Sequence, residues 1–493
     1  MYLSILDIVI ILIYVLFIFF AGSIVQKKIK GIDEYLVAGR SMGVNLGLVS
    51  LMCTEIGMIT YVYYAELGYK AGFVGLMVAI PVMIAFIILG KTGFIIKPLV
   101  EMKIKTLPEF FSIKFSKGTR FYIGILMAIG GILNFGVFPG VEAKFINVIT
   151  GVPQDYLLVT MAVLLTVVLL YTLVGGMVSV IITNYVQYAL LSFGMIVISI
   201  VAFMAVGWSD IVNTVTNVMG EKAVNPFFPS VFSGEFGAGF IIWQILLQLS
   251  LLVGWQAISM RLFSSKDAKT GQKIYTWSAL MFLSRAVIPV FWGIIAFVYF
   301  NNLGQEVDGL EALPLMIRAI LPSGVLGLVF AGLLAASMST YASYLLSWSS
   351  VVSQDIIGTT IKFVTGKELE SKKQLLVSRI TMTVIMIFII WWSLFHEIEG
   401  YLYFYLNMTA MIFVPGTFIC LVAGIYWKKA RTLGAYMAIT LGAIPPLLYL
   451  IWPEVNSYAS ELGWGGFVVA LLGMVIGSLI QNTMNPKKEV EVI

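Results

Sequence analysis

Charge is scarce in this chain: of 493 residues only 11% are Asp, Glu, Lys or Arg, while 60% are hydrophobic. A soluble globular domain carries about twice that charged share, so the composition excludes one and requires a lipid environment. Histidine occurs once, as His396 at the end of an apolar segment, which excludes a relay of histidines passing protons. The two cysteines, Cys53 and Cys420, both lie inside apolar runs, so neither a disulfide framework nor a thiolate metal site is indicated. There is no nucleophile and base pair, phosphate-binding loop or metal-ligand cluster, hence no sign of an enzyme, and no nucleic-acid partner is indicated. The first apolar stretch has full spanning length and no basic start, unlike a cleavable leader.

What is abundant is apolar sequence in long runs. Thirteen spans are expected, each roughly 17 to 34 residues, where about 20 suffice to cross a bilayer. The first is near Leu3 to Val25, the second near Met42 to Leu67, the third near Ala71 to Ile96 and the fourth near Phe121 to Thr150. The fifth, near Tyr156 to Leu173, is separated by a short VGGMVS turn from the sixth, which ends near Val206. A polar loop from Gly207 to Glu235 precedes the seventh, near Phe236 to Leu262, and the eighth, near Ile274 to Phe300. The remaining five lie near Ser323 to Ile356, Leu375 to His396, Tyr401 to Tyr426, Thr432 to Trp452 and Gly465 to Gln481. Basic loops follow spans one, three, seven and eleven, so the excess of positive charge on the inner side places the N-terminus outside and the C-terminus in the cytoplasm.

Three spans carry polar residues that a lipid-facing helix does not need. In the second, Thr54 and Glu55 stand at mid-depth beside Gly57, a sequence able to loosen the helix where an ionisable group sits. The seventh carries Gln244, Gln248 and Gln256, with Gly254 in its second half. The ninth holds Ser337, Ser339 and Thr340, the last two placed to point the same way as the carbonyl of Ala336. Neutral oxygens so grouped suit a small hard cation, although hydroxyls bonded back to their own helix and small residues at helix contacts give a competing structural reading. Interrupted helices at the head of two five-helix groups, spans two to six and seven to eleven, form the pattern of inverted-repeat transporters.

The chain resembles the sodium/solute symporters, most closely in pattern the sodium/proline type. The likeness runs from the first span to about residue 480, through DEYLVAGRSMG (Asp33 to Gly43), YTLVGGMVSVIITNYVQ (Tyr171 to Gln187), LLAASMSTYASYLLSWSSVVSQDI (Leu333 to Ile356) and AGIYWKKARTLGAYMAITLGA (Ala423 to Ala443). The resemblance implies an all-α integral membrane protein with a LeuT-type inverted 5+5 helix repeat. Its parts would be 1–41 (first span and loop), 42–206 (first repeat), 207–235 (external loop), 236–427 (second repeat) and 428–493 (two last helices and a short tail). It also implies a sodium ion held by the backbone oxygens of Cys53, Ile56 and Ala336 and the hydroxyls of Ser339 and Thr340. The matching solute positions are Ile59, Asn134, Gln248, Leu252 and Gln256, to which the chemistry of Glu55 and Trp255 adds two. The function implied is sodium-coupled symport of a small polar organic solute, an amino acid, a carboxylate or similar, across the plasma membrane by alternating access. The partners are then the solute, sodium and the lipid bilayer, with no particular oligomeric state.

The departures from that pattern are informative. Glu55 and Asn184 stand where Asp is usual or common, Gly57 replaces a hydroxyl residue, and YYAELGYKAG, containing Glu66, replaces a Gly-Pro-Gly-like stretch. Ile59, Asn134, Gln248 and Gln256 replace residues of proline recognition, which argues against proline. Asn184 and Glu142 are candidates for gating or coupling, and Glu142, about two turns beyond Asn134, is read as facing the outer vestibule to bind a cationic group. Arg285 is read as the charge partner of an unseen carboxylate. Two other functions stay open on the sequence: proton-coupled symport through Glu55, and a membrane sensor that binds solute without moving it.

Overall fold

The computed structural model describes residues 3–25, 36–228, 236–396, 398 and 400–484, without the side chains of residues 19, 21–25, 171 and 174–182. The start of the Asp33 to Gly43 motif, the basic loop after the first span and the charged tail lie outside the described residues, as do the side chains in the middle of the Tyr171 to Gln187 motif. Within the described residues the backbone is helical and no strand occurs; one isolated bridge pairs Met42 with Ser265. This is what hydrocarbon demands, because a helix satisfies its own peptide groups where water is missing.

Among the described residues, eight helices are long and apolar enough to cross a membrane, or ten when each of two bent pairs counts as one span. These helices, with shorter apolar pieces, lie where the sequence places its apolar runs. Ile5–Val25 is the first span, Val44–Glu55 with Met58–Ala71 the second and Ala79–Thr92 the third. Lys117–Gly136 and Phe138–Thr150 make the fourth, and Leu157–Val206 covers the fifth and sixth. Helical backbone continues through the stretch expected to turn at VGGMVS.

The seventh span is Ala238–Gly254 with Gln256–Phe263, the eighth Ala268–Asn302, the ninth Val325–Ser350 and the tenth Ser371–Phe395. The eleventh, Leu402–Met411 with Val414–Tyr426, bends by 43°, a break the sequence reading missed. Pro415 explains it: its ring opposes the carbonyl four residues back, which belongs to Met411, the last residue of the preceding helix. Thr432–Ile451 and Ala459–Met484 complete the set.

Burial sorts these spans into outer and inner. Ile5, Leu16, Leu280, Val384 and Leu471 are among many exposed apolar side chains, a surface suited to lipid and not to water. The ninth span is the opposite: 83% of its most apolar window is enclosed, against 28% in the tenth. The second and eighth spans cross with their backbones in contact. A Cβ on Gly68 would lie 1.9 Å from the carbonyl oxygen of Val290, and one on Gly293 equally close to that of Ala65. Met42 N donates to Ser264 O (3.0 Å) and Lys266 N to Met42 O (3.2 Å), tying the start of span two to the end of span seven.

Candidate functional site

Helix fails in the second span at two residues, Ile56 (φ −108°, ψ 85°) and Gly57 (φ −94°, ψ 172°), between Glu55 and Met58. Such a break strips carbonyls of their partners on one side and N–H groups on the other. Opposite it runs the ninth span. Thr340 Oγ1 lies 3.5 Å from the carbonyl oxygen of Cys53, and Ala336 is one turn earlier on the same helix. Gly57 is needed for this approach, since a Cβ there would sit 2.8 Å from Thr340 Oγ1.

Ser339 Oγ donates to Asn184 Oδ1 at 2.8 Å, and Asn184 in turn donates to Ser50 Oγ (3.2 Å) and accepts from Cys53 Sγ through its backbone oxygen (3.3 Å). Because the Ser339 proton is committed to an amide, both lone pairs on its oxygen stay free for a cation. Cys53, Ile56, Ala336, Ser339 and Thr340 are all buried; Thr340 faces the Cys53 carbonyl across the break, and Asn184 orients the hydroxyl of Ser339.

The N–H side of the break belongs to Glu142. Its Oε1 accepts from Ile59 N at 2.9 Å and its Oε2 from the hydroxyl of Ser337, and the residue is fully buried. The expectation that Glu142 faces an outer vestibule is thus corrected: the carboxylate caps the positive N-terminal end of the second half of span two, Met58–Ala71. Lys144, two residues on, is exposed on another side of the helix.

The seventh span breaks at Trp255 (φ −79°, ψ 117°), and its halves meet at 52°. Between the two breaks lies a cavity, to which Thr340 also contributes. Glu55, Ile59, Asn134, Gln248, Leu252 and Trp255 line it as expected. Gln256 does not. Its Oε1 accepts from Leu107 N (3.0 Å) and its Nε2 donates to Ser350 Oγ (3.3 Å), so it fastens the second half of span seven to its neighbours. The break at Trp255 redirects the chain, and with it the Gln256 side chain, away from the wall that Trp255 forms.

Asn134 donates to Leu406 O (2.7 Å) and Thr409 Oγ1 (2.9 Å), leaving its own oxygen as the free acceptor. The floor is aromatic, with Trp255 stacked on Phe413 at 5.7 Å and edge-on to Trp348 at 4.8 Å.

Sequence reasoning missed most of the aromatic wall, Tyr63, Tyr64, Tyr344 and Tyr403, because tyrosine in a span is unremarkable by itself. Arg285 carried a signal, an intramembrane cation awaiting a carboxylate, and the structure supplies Glu55, whose Oε2 is 4.0 Å from Arg285 Nη2. The guanidinium also lines the cavity, donates from Nε to the Glu55 carbonyl (2.7 Å) and from Nη2 to Tyr63 OH (2.9 Å), and stacks over Phe282 and Tyr64. It satisfies one of the carbonyls released by the break.

Residues 35–442 match the model of the sodium:solute symporter family. A sodium/glucose cotransporter 4 from Danio rerio is 26% identical over 491 residues, covering 90% of this chain and 71% of that protein. The osmoregulated proline transporter OpuE of Bacillus subtilis is 24% identical, covering 97% and 94%. The solved structure of a substrate-bound, outward-open, Na+-coupled sialic acid symporter superposes with a TM-score of 0.83 at 18% identity, over 99% of each chain. The fold is accordingly the LeuT type expected from the sequence. Two interrupted helices, a hydroxyl pair opposite the first interruption and a cavity between them, together with a family match over most of the length, lead to one conclusion: the chain belongs to the sodium:solute symporter family and is a multi-pass, sodium-coupled membrane transporter, not an enzyme.

Proposed function

We propose that this protein moves a small polar organic solute into the cell by alternating access, with sodium bound by the carbonyls of Cys53, Ile56 and Ala336 and the hydroxyls of Ser339 and Thr340. The observation that carries this reading is the approach of Thr340 Oγ1 to Cys53 O at the point where helix fails. Freed carbonyls in a dry interior need a partner, and a dehydrated monovalent cation needs neutral oxygens, so each meets the other's deficit. The solute occupies the adjoining cavity against Glu55, Ile59, Asn134, Gln248, Leu252 and Trp255. Thr340 belongs to both places, which gives ion and solute a shared wall and a direct route for coupling.

In this reading the repeats are 42–206 and 236–427, the membrane is the plasma membrane, and the N-terminus is outside. Asn184 serves coupling by orienting Ser339, and Glu142 by holding the outer half of span two against span nine. A proton-carrying role for Glu55 is less well supported, because Arg285 stands beside it as a counter-charge. Uptake of radiolabelled solutes into proteoliposomes tests the proposal: an inward sodium gradient is expected to drive accumulation, and uptake indifferent to sodium would refute it.

A further inference from the structure

The cavity presents two opposite charges to its contents. Glu55 is more than nine-tenths buried, and its Oε1 has no hydrogen-bond partner, while Oε2 lies 4.0 Å from Arg285 Nη2. Arg285 is fixed through Nε and Nη2 by the Glu55 carbonyl and by Tyr63 OH, and neither contact uses Nη1. A carboxylate and a guanidinium held at the wall of an enclosed cavity are both costly, and a ligand that brings a counter-charge to each lowers both costs at once.

Neutral polyols supply neither charge. A monocarboxylate would meet Arg285 but be repelled by Glu55, and a simple amine would meet Glu55 but be repelled by Arg285. We propose that the transported solute is an α-amino acid, its ammonium on the Glu55 carboxylate and its carboxylate on Arg285. The proposal rests on the transport reading above and narrows it to one substrate class. The short spacing of the two protein charges fits a ligand whose own charges are separated by a single carbon, and it disfavours long zwitterions with the groups at opposite ends. The rings of Tyr64, Trp255 and Tyr344 then enclose the ammonium and the side chain, a surrounding that suits a desolvated cation.

The test uses the purified full-length chain in sodium chloride, with each of the common α-amino acids, glucose, myo-inositol, lactate and choline as separate probes of thermal unfolding. At least one α-amino acid is expected to raise the midpoint, and its N-acetyl derivative and methyl ester to bind on the order of 10- to 100-fold more weakly, the span expected for losing one hydrogen-bonded charge. In Glu55→Gln the preference for the free amine over the N-acetyl form is expected to shrink; if that variant does not fold, the derivative series on the unaltered protein decides. Stabilisation by glucose, myo-inositol, lactate or choline with none by any amino acid overturns the proposal, as does failure of every amino acid to bind, or equal binding of the blocked derivatives. Repeating the successful probe in potassium chloride separates the two readings: a response that persists unchanged leaves the amino acid assignment standing and counts against sodium coupling.

Discussion

Replacing Thr340 by valine removes one oxygen and almost nothing else. The side chain is 2% exposed, its Oγ1 is 3.5 Å from Cys53 O, and its other atoms pack around the position a Cβ on Gly57 would take. Valine keeps that shape and puts a methyl where the oxygen was; serine keeps the oxygen and drops the methyl. An interaction with a charged partner is worth about 1.5 to 3 kcal/mol, and about 1.4 kcal/mol is a factor of ten. Thr340→Val is therefore expected to raise the half-saturating sodium concentration about 10- to 100-fold, and Thr340→Ser to leave it within about threefold, a cost set by one lost methyl contact. The assay is the sodium dependence of the unfolding midpoint at constant ionic strength, with N-methylglucamine replacing sodium, followed by the sodium dependence of uptake. If the valine and serine variants respond alike, or if valine leaves the sodium response intact, the hydroxyl does not hold the ion and the reasoning fails.

Gly57→Ala places a methyl 2.8 Å from the same hydroxyl and is expected to abolish sodium-dependent stabilisation while helix content by circular dichroism stays unchanged. Glu142→Ala leaves the Ile59 N–H without an acceptor and is expected to lower stability by about 1 to 3 kcal/mol, read from denaturant unfolding, with Glu142→Gln costing less because one acceptor remains. Gln248→Ala is expected to change the solute preference of uptake, whereas Gln256→Ala, whose side chain is engaged with Leu107 and Ser350, leaves preference alone and alters turnover.

Much of this site is legible in the sequence for a physical reason. Glu55 followed by Gly57 at mid-bilayer pairs an expensive charge with a residue that lets helix go, and a glycine, Gly254, likewise precedes the break at Trp255. Thr340 and Ser339 are recognisable because two hydroxyls on one turn of an enclosed helix need partners.

What stays hidden depends on partners far along the chain. Glu142 finds its donors on spans two and nine, and no local pattern in span four reveals that it turns inward. Gln256 looks equivalent to Gln248 as a polar residue in the same span, yet the break between them rotates it towards Leu107. Arg285 announces a missing carboxylate, but its identity as Glu55 follows only once span eight packs on span two through Gly68 and Gly293.

Sodium coupling requires an alkali ion bound where the second span is broken. Equilibrium binding of radiolabelled sodium to the purified protein addresses this without knowledge of the solute. Saturable binding, competed by unlabelled sodium but not by potassium and weakened in Thr340→Val, is the predicted result; sodium retention that never saturates, or that the valine variant shows in full, would contradict it.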